Sequence, residues 1–167
     1  MHTGQDFIRH EFDEAIAVQQ AIVRGAGELA RVHPMPDGKK QLKSAAKDSE
    51  QWLKRLQKRG QEFGATGKKE EVAGAIDQLA TTTMEHARTG EPSEVYEAQA
   101  VVINALRKQQ DSAGSIIKIA RSMKDSEMAT EARDMQKACK GTADDLAKNL
   151  TELAVAIARE ETTGHAA

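Results

Sequence analysis

The chain is short of several residue types, and each shortage excludes something. It has a single cysteine, Cys139, three prolines, and aromatics at only 3% of 167 residues. A lone thiol closes no internal disulfide, so packing must hold the fold, and a reducing, cytoplasmic setting is expected. Pro34, Pro36 and Pro92 leave the rest of the chain free of helix breakers. Neither sign of charge dominates: 24 Lys and Arg against 26 Asp and Glu give −2. With a pI near 6.2 and no basic stripe interleaved with aromatics, no nucleic-acid partner is expected. No apolar run nears the roughly 18 residues of a membrane span. The longest runs only from Leu153 to Ala158, so no membrane partner is expected either. The opening "MHTGQDFIRHEF" carries no signal-peptide core.

What remains is 39% hydrophobic and 30% charged, the balance of a single soluble domain over residues 1–167 built from close-packed helices. Apolar positions recur in steps of three and four. The first helix reads from Gly4 to Val32, with Phe12, Ala15, Ile22, Ala26 and Leu29 on its stripe. "HPMPDG" (33–38) breaks it. The second reads from Lys39 to Phe63, with Leu42, Ala45, Trp52, Leu53, Leu56, Gly60 and Phe63. "GATG" (64–67) is a turn signal. A short helix is expected over Lys68–His86, then a break at "TGEPSE" with Ser93 or Thr89 as N-cap. The third long helix reads from Ser93 to Met123. The fourth starts at Asp125 or Ser126 and runs to about Glu160, with the tail 161–167 frayed. Four long helices joined by two tight turns and one crossover of about 30 residues, holding a short extra helix, predict a ferritin-like antiparallel four-helix bundle.

Each long helix carries a polar residue in mid-stripe: Gln19, Ser49, Gln109 and Thr142. Counting outward from the turns puts them at roughly one level, which predicts a neutral polar layer across the waist. A buried amide layer of this kind fixes helix register when its members hydrogen-bond one another. The reading pairs Gln19 with Gln109, so that Gln19→Leu alone strands an amide at about 1–3 kcal/mol. Ferritin-like bundles place a di-metal site at this level, from inward Glu and Glu-x-x-His residues. No Glu-x-x-His occurs here, and none of His2, His10, His33, His86 and His165 falls mid-helix on a stripe.

The order and spacing of four segments resemble the YciE/YciF-like branch of the ferritin-like superfamily, a bacterial stress-associated family. They are "SEQWLKRLQKRGQEFG" (49–64), "KKEEVAGAIDQLATTTMEHARTGE" in the crossover, "ARSMKD" (120–125) and "AKNLTELA" (147–154). The resemblance implies the fold and also the positions where that family holds its metal. The first-helix Glu falls on Gln19. The second-helix His positions fall on Ala45 and Trp52, with Asp48 between them. The third-helix segment falls on Leu106, Arg107, Lys108 and Gln109, and the fourth-helix acidic pair on Thr142 and Ala143. Only Asp48 keeps a carboxylate. Gln19, Asp48, Ser49, Trp52, Gln109 and Thr142 are therefore expected to be vestiges of a metal site, with no cofactor and no catalytic residue.

The expectation is a non-enzymatic, metal-free bundle that acts in stress response by association, as a homodimer. The alternative is an iron- or manganese-binding protein or oxidase whose site has moved to Asp48, Glu50, Asp111 or Asp145. A third reading is a small polar ligand held at the waist. His10 and Glu14 lie four apart on one face but read as solvated, His86 as a helix-end residue, Cys139 as apolar filler and Trp52 as core. There is no phosphate loop after a strand and no nucleophile motif.

Overall fold

The computed structural model describes residues 4–67, 85 and 88–164, with side chains as far as residue 160. The expected short helix over Lys68–His86 lies, Glu85 apart, outside the described residues. Four helices pack against one another: α1 (Gly4–Val32), α2 (Pro36–Gln61), α3 (Pro92–Ser122) and α4 (Ser126–Gly164). Among the described residues there is no strand and no helix long and apolar enough to cross a membrane. The helices are 29, 26, 31 and 39 residues long, roughly 40–60 Å each at 1.5 Å per residue.

The helix limits follow from terminal chemistry. α2 and α3 begin earlier than the expected Lys39 and Ser93, because Pro36 and Pro92 open them instead of preceding them. Proline at the first helical position loses an N–H that has no intrahelical partner anyway. Neither expected N-cap heads α3: Glu91 holds that position without a side-chain bond, while the Thr89 hydroxyl accepts the Glu91 N–H at 3.2 Å. Asp125 caps α4 by accepting the Met128 N–H at 2.9 Å. α4 then runs past the expected Glu160 to Gly164. α3 closes with Lys124 at φ 61°, where Lys124 N–H reaches Arg121 and Asp125 N–H reaches the Ala120 carbonyl. That is the Schellman pattern, with a lysine in the left-handed position glycine usually takes.

Helix directions follow from the contacts across them. Gln19 on α1 meets Ser49 on α2, and Phe12 stacks on Phe63 with centroids 5.4 Å apart, so α1 and α2 are antiparallel. His33 meets Gln99 and Ala15 meets Gln109, so α3 runs back along α1. Gln99 meets Leu146 and Gln109 meets Met135, so α4 runs back along α3. Hence α2 and α3 point the same way, and the connection between them joins opposite ends of the bundle. Both its described ends rest on α1. Buried Asp13 accepts the N–H groups of Thr66 and Gly67 at 2.8 Å each. At the far end Gly90 lies against Val32.

The core is aliphatic and alanine-rich, with Phe12, Ile16, Ile22, Leu29, Leu42, Leu106, Met128, Met135, Leu146 and Leu153 almost fully buried. Small residues bring the backbones together: a Cβ on Gly60 would lie 3.2 Å from Ile16 and 3.4 Å from Phe12. α1 is buried without interruption from Ala15 to Gln19. The α1–α2 and α3–α4 pairs are tightly packed, whereas α2 and α4 touch far less. That seam is the loose side of the bundle.

Candidate functional site

At the waist, Gln19 and Gln109 are both fully buried, as their place on the stripes requires. They do not pair with each other, which corrects the expected facing amides. Gln19 Nε2 donates to the backbone carbonyl of Ser49 at 3.1 Å. Gln109 Nε2 donates to the carbonyl of Ala15 at 3.0 Å, with Met135 Sδ at 3.8 Å. Each amide thus fastens α1 to a neighbour, one to α2 and one to α3. Both Oε1 atoms are buried and accept no bond among the described residues. Ser49 takes part through its main chain and not its hydroxyl.

The other waist positions differ from expectation. Thr142 is not in the layer: it is half-buried, and Ala143 one residue on takes the core position. An alanine can be buried without leaving a hydroxyl to satisfy. Asp48 is exposed and accepts a weak bond from Ser44 at 3.4 Å. Trp52 is half-buried and packs against the edge of the core, and the Arg55 guanidinium lies 4.7 Å above its ring.

This donor set does not fit a di-metal centre. Divalent iron or manganese needs anionic oxygens or imidazoles converging on one point. The waist offers two amides committed to backbone carbonyls, and its single carboxylate faces outward. Among the described residues no three His, Cys, Asp or Glu side chains converge. The relocated set is not assembled either. Asp48 and Asp145 line one groove with Asp37, but Glu50 turns to Lys54 at 3.4 Å and Asp111 stands exposed on α3. Glu14, the candidate partner of His10, instead forms a 2.6 Å ion pair with Lys108, whose pKa that hydrogen bond raises.

A second buried polar cluster, absent from the sequence reading, lies at the end of the bundle where α1 meets α2. His33 is fully buried, although it opens the segment read as a break. Its Nδ1 accepts the Met35 N–H at 3.1 Å, so the proton sits on Nε2, which donates to Gln99 Oε1 at 2.9 Å. Gln99 Nε2 then donates to the Leu146 carbonyl at 2.9 Å and to Asn149 Oδ1 at 3.1 Å. The chain links α1, α3 and α4. Burial holds the His33 pKa below 6.5. Gly38 makes room for the ring: a Cβ there would sit 2.1 Å from His33 Cε1. The signal was present, since Leu29 to His33 is one more step of four along the α1 stripe.

The loose α2–α4 seam contains three recesses. At one end Arg59, only 16% exposed, is ringed by Glu131 at 3.1 Å, Glu62 at 3.2 Å, Glu127 at 3.7 Å and Asp125 at 3.8 Å. It ties the last turn of α2 to the first turn of α4, where both helix dipoles favour those charges. Beside it is an apolar cavity of about 30 Å³ bounded by Phe12, Trp52, Leu56, Ile116, Met128 and Met135. On the other side of Trp52 and Arg55 a groove of about 340 Å³ reaches inward to Leu106 and Cys139. It continues past Asp48 and Thr142 into a groove of about 390 Å³ with Asp37, Lys40 and Asp145 on its walls. Cys139 is no nucleophile there, because burial pushes its thiol up to about 12.

No family model matches the chain, and no curated protein matches its sequence. The class that the fold defines is an all-α, four-helix bundle.

Proposed function

We propose that the protein is a ferritin-like bundle of the YciE/YciF-like type that has lost di-metal chemistry and works without catalysis, by association, in a bacterial stress response. One observation carries the proposal. The amides at the level where such bundles bind metal are spent on clamping helices, Gln19 to Ser49 and Gln109 to Ala15. The crossover joining opposite ends of the bundle supports the ferritin-like part. The resemblance of the four sequence segments supports the family.

Metal analysis of the purified protein tests this. The expected result is no stoichiometric iron or manganese after dialysis, and a melting temperature unmoved by saturating Fe²⁺, Mn²⁺ or Zn²⁺, since among the described residues no carboxylates converge at the waist whose repulsion a metal would relieve. Near-stoichiometric metal that survives dialysis would overturn the proposal in favour of a relocated site. Light scattering on the eluting protein tests the homodimer: a monomer mass at all concentrations removes that part.

A further inference from the structure

We propose that the groove between α2 and α4 at the waist is a binding site for a small aromatic carboxylic acid carrying one negative charge. The proposal stands on the groove alone and is independent of the family resemblance.

The groove has the size and depth of a ligand site. Its volume, about 340 Å³, falls in the range of roughly 300–1,000 Å³ typical of small-molecule pockets. It passes between α2 and α4 where they pack least. Its floor is reached by Leu106 of α3, itself 1% exposed, and by Cys139, 3% exposed. A ring lying on that floor beside Trp52 would have one face removed from water.

The charges at one end suit a carboxylate. The Arg55 guanidinium carbon lies over the Trp52 ring, 4.7 Å from its centroid. A cation–π contact uses up none of the guanidinium N–H groups that can grip a carboxylate as a fork. Among the described residues no carboxylate pairs with Arg55, and none pairs with Lys137 across the groove. Arg59 one turn further on, by contrast, is saturated by four acids. Arg55 and Lys137 are therefore the cations available to a ligand.

The other end limits the charge. Asp48 lies seven residues before Arg55, two helical turns or about 10 Å along α2. Beyond Asp48 the adjoining groove carries Asp37 and Asp145 against Lys40. An acid group at Arg55 and Lys137 is attracted, while a second one reaching toward Asp48 is repelled. The site thus selects a monoanion with an apolar body over a dianion or a phosphate.

The experiment uses the full chain and its only tryptophan, which is in the site. Titration with 3-phenylpropionate should change Trp52 emission saturably, and calorimetry should report the same Kd. Each hydrogen bond to a charged group contributes about 1.5–3 kcal/mol, so Arg55→Gln or Lys137→Gln should weaken binding about tenfold or more. Both residues are exposed, so neither change threatens the fold. The neutral 3-phenylpropionamide and the dianion 4-(2-carboxyethyl)benzoate, whose second carboxylate lies across the ring from the first, should each bind at least about tenfold more weakly, the first for want of the charge-assisted bonds and the second through Asp48. No saturable response to the acid would overturn the proposal. So would equal binding of the amide, or an unchanged Kd in both variants. Equal or tighter binding of 4-(2-carboxyethyl)benzoate would overturn the selection for a monoanion.

Discussion

Replacing Gln109 by methionine removes a buried amide and inserts an unbranched side chain of similar length. Two effects oppose each other. The lost Nε2 bond to the Ala15 carbonyl, 3.0 Å long, contributes about 0.5–1.5 kcal/mol. Its loss strands nothing, because by helix register the same carbonyl also receives the N–H of residue 19. Against this, the Oε1 atom is buried and accepts no bond among the described residues. Taking such an oxygen out of the core relieves about 1–3 kcal/mol. The balance runs from a loss of about 0.5 kcal/mol to a gain of about 2.5 kcal/mol, stabilising at its centre. Gln19→Met follows the same reasoning through Ser49.

The sign separates this geometry from a facing pair of amides, in which each single replacement would strand the other. Urea denaturation reads it directly. With a slope of about 2 kcal/mol/M, a gain of 1 kcal/mol moves the midpoint up by about 0.5 M. The two replacements bond to different carbonyls, so the double variant should be additive to within about 0.5 kcal/mol. A loss of more than about 1 kcal/mol in either single variant, recovered in the double, would refute the reasoning and restore the facing pair.

Three further outcomes are expected. Gly38→Ala forces a methyl into the His33 ring, 2.1 Å from Cε1, and should cost about 1–3 kcal/mol by chemical denaturation. In a His33→Ala background most of that cost should vanish. The lowered His33 pKa means that the unfolded chain takes up a proton at a higher pH than the folded one. Stability is therefore full above pH 6.5 and falls as pH drops below it, by up to about 1.4 kcal/mol per unit, and His33→Gln should flatten the curve just below about pH 6.5. Cys139, with its thiol at about 12, should alkylate at pH 8 at least about a thousandfold more slowly in the native protein than in urea.

Much of the fold was legible because helix geometry constrains sequence heavily. α1 begins and ends where its stripe does, and the breaks at 33–35 and 62–67 overlap the turn signals at 33–38 and 64–67, with α2 ending at Gln61, two residues before the expected Phe63. The errors lie where two rules compete. Pro36 and Pro92 were read as parts of breaks, yet the first position of a helix is where proline fits best. Thr142 and Ala143 are both within the permitted steps of three and four from Cys139. Periodicity cannot choose between them, and the cost of burying a hydroxyl does.

The site was less legible for a different reason. Stripes show which residues face inward but not what their polar atoms meet, so Gln19 and Gln109 were placed correctly and bonded wrongly. A buried amide can bond to a side chain across the core or to the nearest backbone carbonyl. Where helices approach as closely as α1 and α2 do at Gly60, a carbonyl is always within reach, whereas a partner amide must arrive in one rotamer at one level. The same competition hid His33, whose step from Leu29 continued the stripe while the prolines after it suggested an exposed turn. Its partners Gln99 and Asn149 also fall on permitted stripe steps, and they assemble only because α3 and α4 bring them to the end of α1. The groove depends on tertiary arrangement alone. Asp48, Trp52, Arg55, Lys137 and Thr142 all lie at helix positions that a sequence reading assigns to core or solvent. They form one recess because α2 and α4 are the neighbours that pack least closely, a property of four helices together that no single helix encodes.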